Sequence, residues 1–217
     1  MTDLIINDDC LSYMKTMKDN SIDMLLTDPP YGISFQSNHR KVKYNKIEND
    51  NNLLWLPEFI SELHRICKDN TAHYMFCSHH NIDVFKQAIE HKFDVKDILV
   101  WVKNNTGMGD LKGSFAPKVE FILFFKKGKR NINGRRDPNI FTFSRTNNVN
   151  HPTEKPVDLC EYLISKFSDE NDVIFDPFAG SGSTGIAAKN TKRSYILIEK
   201  DVTYYNNTLK RFENETK

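Results

Sequence analysis

The chain has 217 residues, 39% of them hydrophobic, and its 30 Lys and Arg nearly balance 29 Asp and Glu, for a formal net charge of +1. That length and apolar content support one sizeable core and a single domain over 1–217. No apolar run is long enough to span a bilayer and no signal-peptide pattern is present, which argues against a membrane partner. Cys10, Cys67, Cys77 and Cys160 are widely spaced with no C-x-x-C, so they read as reduced thiols of a cytoplasmic protein.

In chain order, Leu4 to Ile6 is a short predicted strand and Asp8 to Met17 a helix. Ile22 to Thr27 is the apolar run of a buried parallel strand. Gly32 to Asn52 is polar, basic and aperiodic, a loop of a length that usually carries function. Trp55 to Cys67 has apolar residues at 56, 59, 60, 63 and 66, which is helical spacing. Ala72 to Cys77 reads as a strand and Ile82 to His91 as a helix. His79-His80 has no third metal ligand at sensible spacing, so the pair reads as a helix start capped by Ser78. Ile98 to Val102 is a strand, Lys103 to Lys118 a glycine-containing loop and Val119 to Phe125 an apolar strand. Lys126 to Asn150 is basic, Asn-rich and irregular. Pro156 opens a helix over Val157 to Phe167. A strand from Val173, a glycine-rich turn and a helix over Ile186 to Asn190 follow. Ser194 to Ile198 is the last strand, and Val202 to about Phe212 the last helix. Strands alternating with helices predict an α/β fold, a doubly wound parallel sheet with helices on both faces. Ligands of such sheets bind at the carboxyl ends of the strands.

Two strand ends carry chemistry. Asp28-Pro29-Pro30-Tyr31 leaves the first apolar strand with two prolines that fix φ twice and remove two backbone donors. A stiff turn with free carbonyls, between a carboxylate and an aromatic ring, suits a flat group bearing an amine. Asp28 and the Pro29 carbonyl can each accept one amino hydrogen, and Tyr31 can stack on the plane. The second is Asp176-Pro177-Phe178-Ala179-Gly180-Ser181-Gly182-Ser183-Thr184-Gly185. Glycines at a strand-to-helix turn let backbone approach a ligand. Gly180, Gly182 and Gly185 fit G-x-G-x-x-G, but the intervening Asp176-Pro177-Phe178 suits an ammonium group better than a pyrophosphate and disfavours a nucleotide-dependent oxidoreductase. Glu199, at the end of the next strand, suits ribose hydroxyls. A ligand with a ribose and an amino-acid moiety but no phosphates is S-adenosylmethionine.

The chain resembles the β-group DNA amino-methyltransferases, which methylate the exocyclic amine of adenine or cytosine. Asp28 to Tyr31 looks like that family's catalytic motif, and Asp176 to Thr184 like its cofactor motif, with Ser183 in place of a threonine. His151-Pro152-Thr153-Glu154-Lys155-Pro156 looks like the segment before the cofactor motif. Asn7-Asp8-Asp9-Cys10 looks like the segment whose Asp contacts the cofactor adenine. Asp8 stands there in place of glycine, and Asp tolerates the left-handed region. Phe76 to Asn81 looks like the segment after the following strand. The catalytic motif precedes the cofactor motif, the order of the β group. The resemblance implies a Rossmann-like, circularly permuted methyltransferase fold with the amino-terminal strand beside Ser194 to Ile198. It implies Asp28, Pro29, Pro30 and Tyr31 as catalytic, and Asp9, Cys10, His151, Thr153, Lys155, Asp176, Phe178, Gly180, Ser181, Gly182, Ser183, Thr184 and Glu199 as cofactor-binding, with no metal. It implies a site-specific enzyme of restriction-modification or phage type acting on adenine N6, since cytosine-N4 members more often carry Ser in place of Asp28. Cytosine N4, or an inactive DNA-binding adaptor of the same fold, are the alternatives. Double-stranded DNA is the expected partner; a homodimer and a cognate endonuclease stay open.

Charge is clustered where the net value is not. Arg40, Lys41, Lys43 and Lys46 crowd the loop 32–52. Lys126, Lys127, Lys129, Arg130, Arg135 and Arg136 crowd 126–150. Such stretches are the footprint of phosphate binding, so both loops are expected to touch DNA.

Overall fold

In a computed structural model, residues 3–32, 52–107, 111–146 and 154–214 are described. Over them run β1 (Leu4–Asn7), α1 (Cys10–Met14), β2 (Met24–Thr27), α2 (Leu56–Ile66), β3 (Thr71–Cys77), α3 (Ile82–Glu90), β4 (Asp94–Lys103), β5 (Val119–Lys127), β6 (Ile140–Phe143), α4 (Val157–Phe167), β7 (Val173–Asp176), α5 (Ser183–Asn190), β8 (Ser194–Glu199) and α6 (Val202–Asn214). The strands form one sheet in the order β1-β8-β7-β2-β3-β5-β4-β6. Every pairing is parallel except the two that β5 makes. Among the described residues no helix lies between β4 and β5, and the two strands pair antiparallel, as a direct return connection requires. β1 pairs with β8, Asn7 opposite Glu199, so the first and last strands meet at one sheet edge, as the permuted order requires.

Alternation along the central strands divides the core in two. Met24, Leu26, Tyr74, Phe76, Ile122 and Phe124 face α4, α5 and Phe212 of α6. Leu25, Met75, Cys77, Leu123 and Phe125 face α1, α2 and α3. Helix α2 shows why its sequence folds this way: Leu56, Phe59, Ile60, Leu63 and Ile66 make one buried stripe, with proline in its first turn. His73 lies inside the second layer, where its Nδ1 accepts from the Leu25 N–H at 3.1 Å. Burial pushes its pKa down to about 3, so the ring is a neutral structural acceptor. Cys67, Cys77 and Cys160 are buried free thiols. No described helix is long and apolar enough to cross a membrane.

Three local features differ from the sequence reading. The stretch 126–150 contains β6, paired parallel with β4 from Val100 to Lys103. Four residues flanked by polar ones are too short a run for periodicity to register. Helix α3 has Asn81, not Ser78, at its N-cap; Ser78 Oγ accepts from the His80 N–H at 3.3 Å. Asp8 is not among the described residues with positive φ. Its carboxylate accepts from the Asp9 N–H at 2.7 Å, which holds the turn without left-handed backbone.

Candidate active site

The carboxyl ends of the parallel strands lie along one edge of the sheet. Asp9 follows β1, Glu199 ends β8, Asp176 ends β7, Asp28 follows β2 and Lys103 ends β4. Because β5 runs the other way, its second residue, Glu120, comes to the same edge, opposite Trp101. The Asn7 amide donates to the carbonyls of Glu199 at 2.8 Å and Lys200 at 3.0 Å, locking the β1 and β8 ends together.

Around the glycine turn, carboxylates are satisfied by the chain's own donors. Asp176 is buried; its Oδ1 accepts from the Thr27 hydroxyl at 2.7 Å and the Phe178 N–H at 3.2 Å. Burial pushes its pKa up to about 6. Glu199 accepts from the Gly180 N–H at 2.8 Å and the Asp201 N–H at 2.9 Å, and burial pushes it up to about 7. Asp9 caps α1, accepting from the Ser12 N–H at 3.2 Å, and lies 3.8 Å from Lys200 Nζ. Burial raises the neighbouring Cys10 thiol to about 12, so it stays protonated.

The glycines answer to the fold at least as much as to a ligand. Gly182 has φ +76°, and a Cβ there would lie 2.6 Å from Thr208 Cγ2 of α6. A Cβ on Gly185 would lie 2.5 Å from Leu197 and 2.8 Å from Phe212. The turn is held from α6 as well: Thr208 donates to the Gly180 carbonyl at 2.9 Å, and Arg211 donates to the Ser181 carbonyl at 3.0 Å and Ser183 Oγ at 3.1 Å. Arg211 also pairs with Glu154 at 3.0 Å. Ser181 and Ser183 hydroxyls are 3.2 Å apart, and Thr184 donates to the Leu26 carbonyl at 3.4 Å. Phe178 packs against Trp55 and Phe59, with ring centroids 5.4 and 5.6 Å away. Thr208, Arg211 and Glu154 were not legible as turn supports, because they lie in separate parts of the chain.

The donor set fits S-adenosylmethionine. Carboxylates end β7 and β8 and cap α1, which favours a cation carrying hydroxyl and ammonium donors, and the turn's guanidinium, Arg211, is engaged with Ser181, Ser183 and Glu154.

The edge beyond β2 is ionic. Asp28 accepts from the Tyr31 hydroxyl on Oδ1 and from Lys155 Nζ on Oδ2. Lys155 Nζ lies 3.4 Å from Glu120 Oε2 and 4.9 Å from the centre of the Phe76 ring. Glu120 Oε1 pairs with Lys103 at 2.6 Å. Burial pushes the Asp28 carboxyl up despite the lysine beside it. Burial opposes the charge on Lys155, yet Asp28 and Glu120 hold its ammonium above the usual lysine value. Burial likewise raises Glu120, but Lys155 and Lys103 outweigh it and hold that carboxyl below its ordinary value. The Asn81 amide donates to the Tyr31 carbonyl at 2.6 Å and pins the end of the proline turn. Lys155, expected from the sequence at the cofactor, pairs with Asp28. Glu120 and Lys103 had no sequence signal of their own, and Asn81 stood in a recognised segment without a role.

The basic segments divide. Arg40, Lys41, Lys43 and Lys46, with His151 and Thr153, lie outside the described residues. Arg130, Arg135 and Arg136 do not come to the strand ends. Lys127 at the end of β5 is opposite Thr71, the first residue of β3, so the segment that follows starts at the far edge of the sheet. Nine strand residues separate the two edges by about 27 Å. There Arg130 pairs with Asp169 at 3.0 Å, Lys126 donates to the Arg130 carbonyl at 2.6 Å, and Lys127 donates to the His64 and Cys67 carbonyls at 3.0 and 2.8 Å. Arg135 and Arg136 stay exposed beside a cleft of about 850 Å³ floored by Phe124, Phe141, Tyr162 and Phe167. The active edge has a different exposed surface, the β4–β5 connection, where Phe115 is 98% and Leu111 70% exposed, with Lys112 between them and Lys118 after them.

A family model described as "DNA methylase" matches residues 22–210. YubD of Escherichia coli (strain K12) is 33% identical over 195 residues, covering 89% of this chain and 83% of that protein. The DNA adenine methyltransferase YhdJ of the same organism is 27% identical over 245 residues, covering 96% and 82%. The crystal structure of the M1.HpyAVI–SAM complex superposes with a TM-score of 0.75 at 28% identity, covering 97% of this chain and 99% of that one. The permuted sheet, the proline turn after β2 and the glycine turn after β7 agree with these likenesses, and the chain belongs to the β-group N6-adenine/N4-cytosine DNA methyltransferases, which use S-adenosylmethionine.

Proposed function

We propose that the chain methylates the N6 amine of adenine at a specific site in double-stranded DNA. The observation that carries the reading is Asp28, a largely buried carboxylate at the end of β2, beside Tyr31 and followed by two prolines. An exocyclic amine is a poor nucleophile because its lone pair is delocalised into the ring. Asp28 and the Pro29 carbonyl would each accept one amino hydrogen and draw the nitrogen toward tetrahedral geometry, while Pro30 keeps the turn stiff. Asp28 would then stabilise the positive charge that develops on nitrogen, a preorganised electrostatic effect. Tyr31 would stack on the extruded base and offset part of its unstacking cost of a few kcal/mol. When bound, S-adenosylmethionine supplies the electrophilic methyl group. Glu199 would hold its ribose hydroxyls, Asp9 its adenine and Asp176 its ammonium end, with Gly180 to Thr184 shaping the turn beneath. The remaining contribution is positioning of two substrates.

Adenine is preferred over cytosine because an Asp opens the catalytic motif and because the relative YhdJ is described as an adenine methyltransferase. The test is transfer of tritiated methyl from S-adenosylmethionine to long unmethylated DNA, followed by digestion to nucleosides and sequencing of the modified sites. Label in N6-methyladenine at one sequence is expected. Label in N4-methylcytosine would move the chain to the other branch of the family, and no label with intact DNA binding would make it an adaptor.

A further inference from the structure

Asp28 is set to receive an amine with both of its oxygens already taken. The Tyr31 hydroxyl holds Oδ1 and Lys155 Nζ holds Oδ2. Each oxygen can still accept a second hydrogen bond. A nitrogen gaining positive charge there would face the Lys155 ammonium, however, and that like-charge repulsion favours moving the lysine away. Lys155 has a second place to go. Its Nζ is 3.4 Å from Oε2 of Glu120, and that oxygen is buried with no hydrogen bond among the described residues. A buried acceptor left without a donor is costly, so the contact is favoured once the lysine is released from Asp28. The Glu120 carboxylate is itself anchored, since Lys103 holds Oε1 at 2.6 Å. The Phe76 ring, 4.9 Å from Nζ, adds a cation–π floor.

We propose that Lys155 and Glu120 are positioning residues that form a two-place relay. Lys155 caps Asp28 in the absence of a target base and passes to Glu120 when the amine donates to Asp28. The relay rests on the reading of Asp28 as the amine acceptor. No proton changes owner: the ammonium keeps its three hydrogens and exchanges one N–H···O contact for another. The consequence is electrostatic. With Lys155 on it, Asp28 is a neutralised carboxylate of little use to a nitrogen gaining positive charge. With Lys155 on Glu120, the full charge of Asp28 faces that nitrogen. Asp28 is thereby shielded while the pocket waits and exposed only when a base fills it.

Glu120→Gln keeps the shape and removes the second place. Its kcat should fall at least about tenfold, while KM for DNA and the cofactor dissociation constant move less than about threefold. Removing the lysine as well should restore turnover: the Glu120→Gln/Lys155→Gln double variant is expected to run at least about threefold faster than Glu120→Gln alone. A merely structural role makes the double variant no faster than the single one. That result, or an unchanged kcat in Glu120→Gln, overturns the relay. If Glu120→Gln does not fold, as judged by melting and cofactor binding, the wild-type protein decides through a crystal structure with S-adenosylhomocysteine and a duplex carrying the mapped site. Lys155 Nζ within about 3.2 Å of Glu120 Oε2 and off Asp28 supports the relay; Lys155 still on Asp28 overturns it. A wild-type protein that methylates no DNA would remove the amine reading and the relay together, whereas an active wild type without rescue removes the relay alone.

Discussion

The two halves of the active edge hold their carboxylates in opposite ways. At β7 and β8, Asp176 and Glu199 are satisfied by a hydroxyl and backbone N–H groups. Beyond β2, Asp28 and Glu120 face ammonium groups, Lys155 and Lys103. The first arrangement makes a preformed receptor, because its donors are mostly backbone N–H groups fixed by the chain's own turns. The second is a balanced ionic cluster whose members can change partners when a polar ligand enters. A cofactor that binds every turnover suits the first, and a base that must be extracted from a duplex suits the second.

The largest expected effect breaks the two halves apart. Asp28→Ala should lower methyl transfer at least about a thousandfold, the scale of losing a principal charge at the reacting centre, with cofactor affinity within about threefold. Tritiated transfer and calorimetry on the same protein read both, and a folded variant that loses the cofactor would show the halves to be one site. Next is the turn itself. Gly182→Ala should cost about 2–4 kcal/mol in urea unfolding, combining left-handed backbone with a side chain driven into Thr208. Gly134 has φ +66° but nothing within 4 Å of the place a Cβ would occupy, so Gly134→Ala should cost only about 1 kcal/mol. Equal losses would mean that α6 yields and does not brace the turn.

A smaller effect tests the receptor's chemistry. Glu199→Ala should weaken S-adenosylmethionine binding by about 1–3 kcal/mol, the cost of one charge-assisted hydrogen bond and of partners left unpaired. An unchanged dissociation constant would pass the ribose contact to Asp201. The same carboxylate sets a pH dependence. Burial raises Asp176 to about 6 and Glu199 to about 7, so in the cofactor-free protein their contribution to stability is present below the ordinary carboxylate range and lost as pH rises through 6 to 7. A cationic ligand reverses the preference by favouring the ionised forms. Cofactor affinity should therefore rise from about pH 5.5 to about 8, roughly tenfold for each unit by which binding lowers these values. Calorimetry across that range checks the sign, and Glu199→Gln should flatten the slope.

The smallest effect belongs to the far edge. Arg135→Ala and Arg136→Ala should change DNA affinity by less than about 0.5 kcal/mol, while Phe115→Ala or Lys118→Ala on the β4–β5 connection at the active edge should cost more. Affinity measured against salt on cognate and scrambled duplexes separates them. A loss of about 1–3 kcal/mol at Arg135, of the size expected for base reading, would show that DNA reaches the far edge after all.

Signals confined to one stretch of chain were legible. Helix α4 runs from Val157 to Phe167, opened by Pro156 as expected, and Asp28 and Asp176 stand at strand ends because each follows an apolar run and precedes a proline. Strand β6 was not legible, because four residues carry too little periodicity against polar neighbours. The basic run Lys126 to Arg136 was legible as charge but not as place.

By itself, the sequence determined the alternating elements, the stiff proline turn and the glycine turn, because these follow from dihedral restriction, periodicity and side-chain size within a few residues. The tertiary structure decided the rest. The reversal of β5 brings Glu120 to the active edge and carries the basic run to the opposite one. The same packing delivers Lys155 to Asp28 and Arg211 to the glycine turn. Strand direction and register are set by which pairings bury the most apolar surface across the whole sheet, and no single residue's neighbours in the chain carry that information.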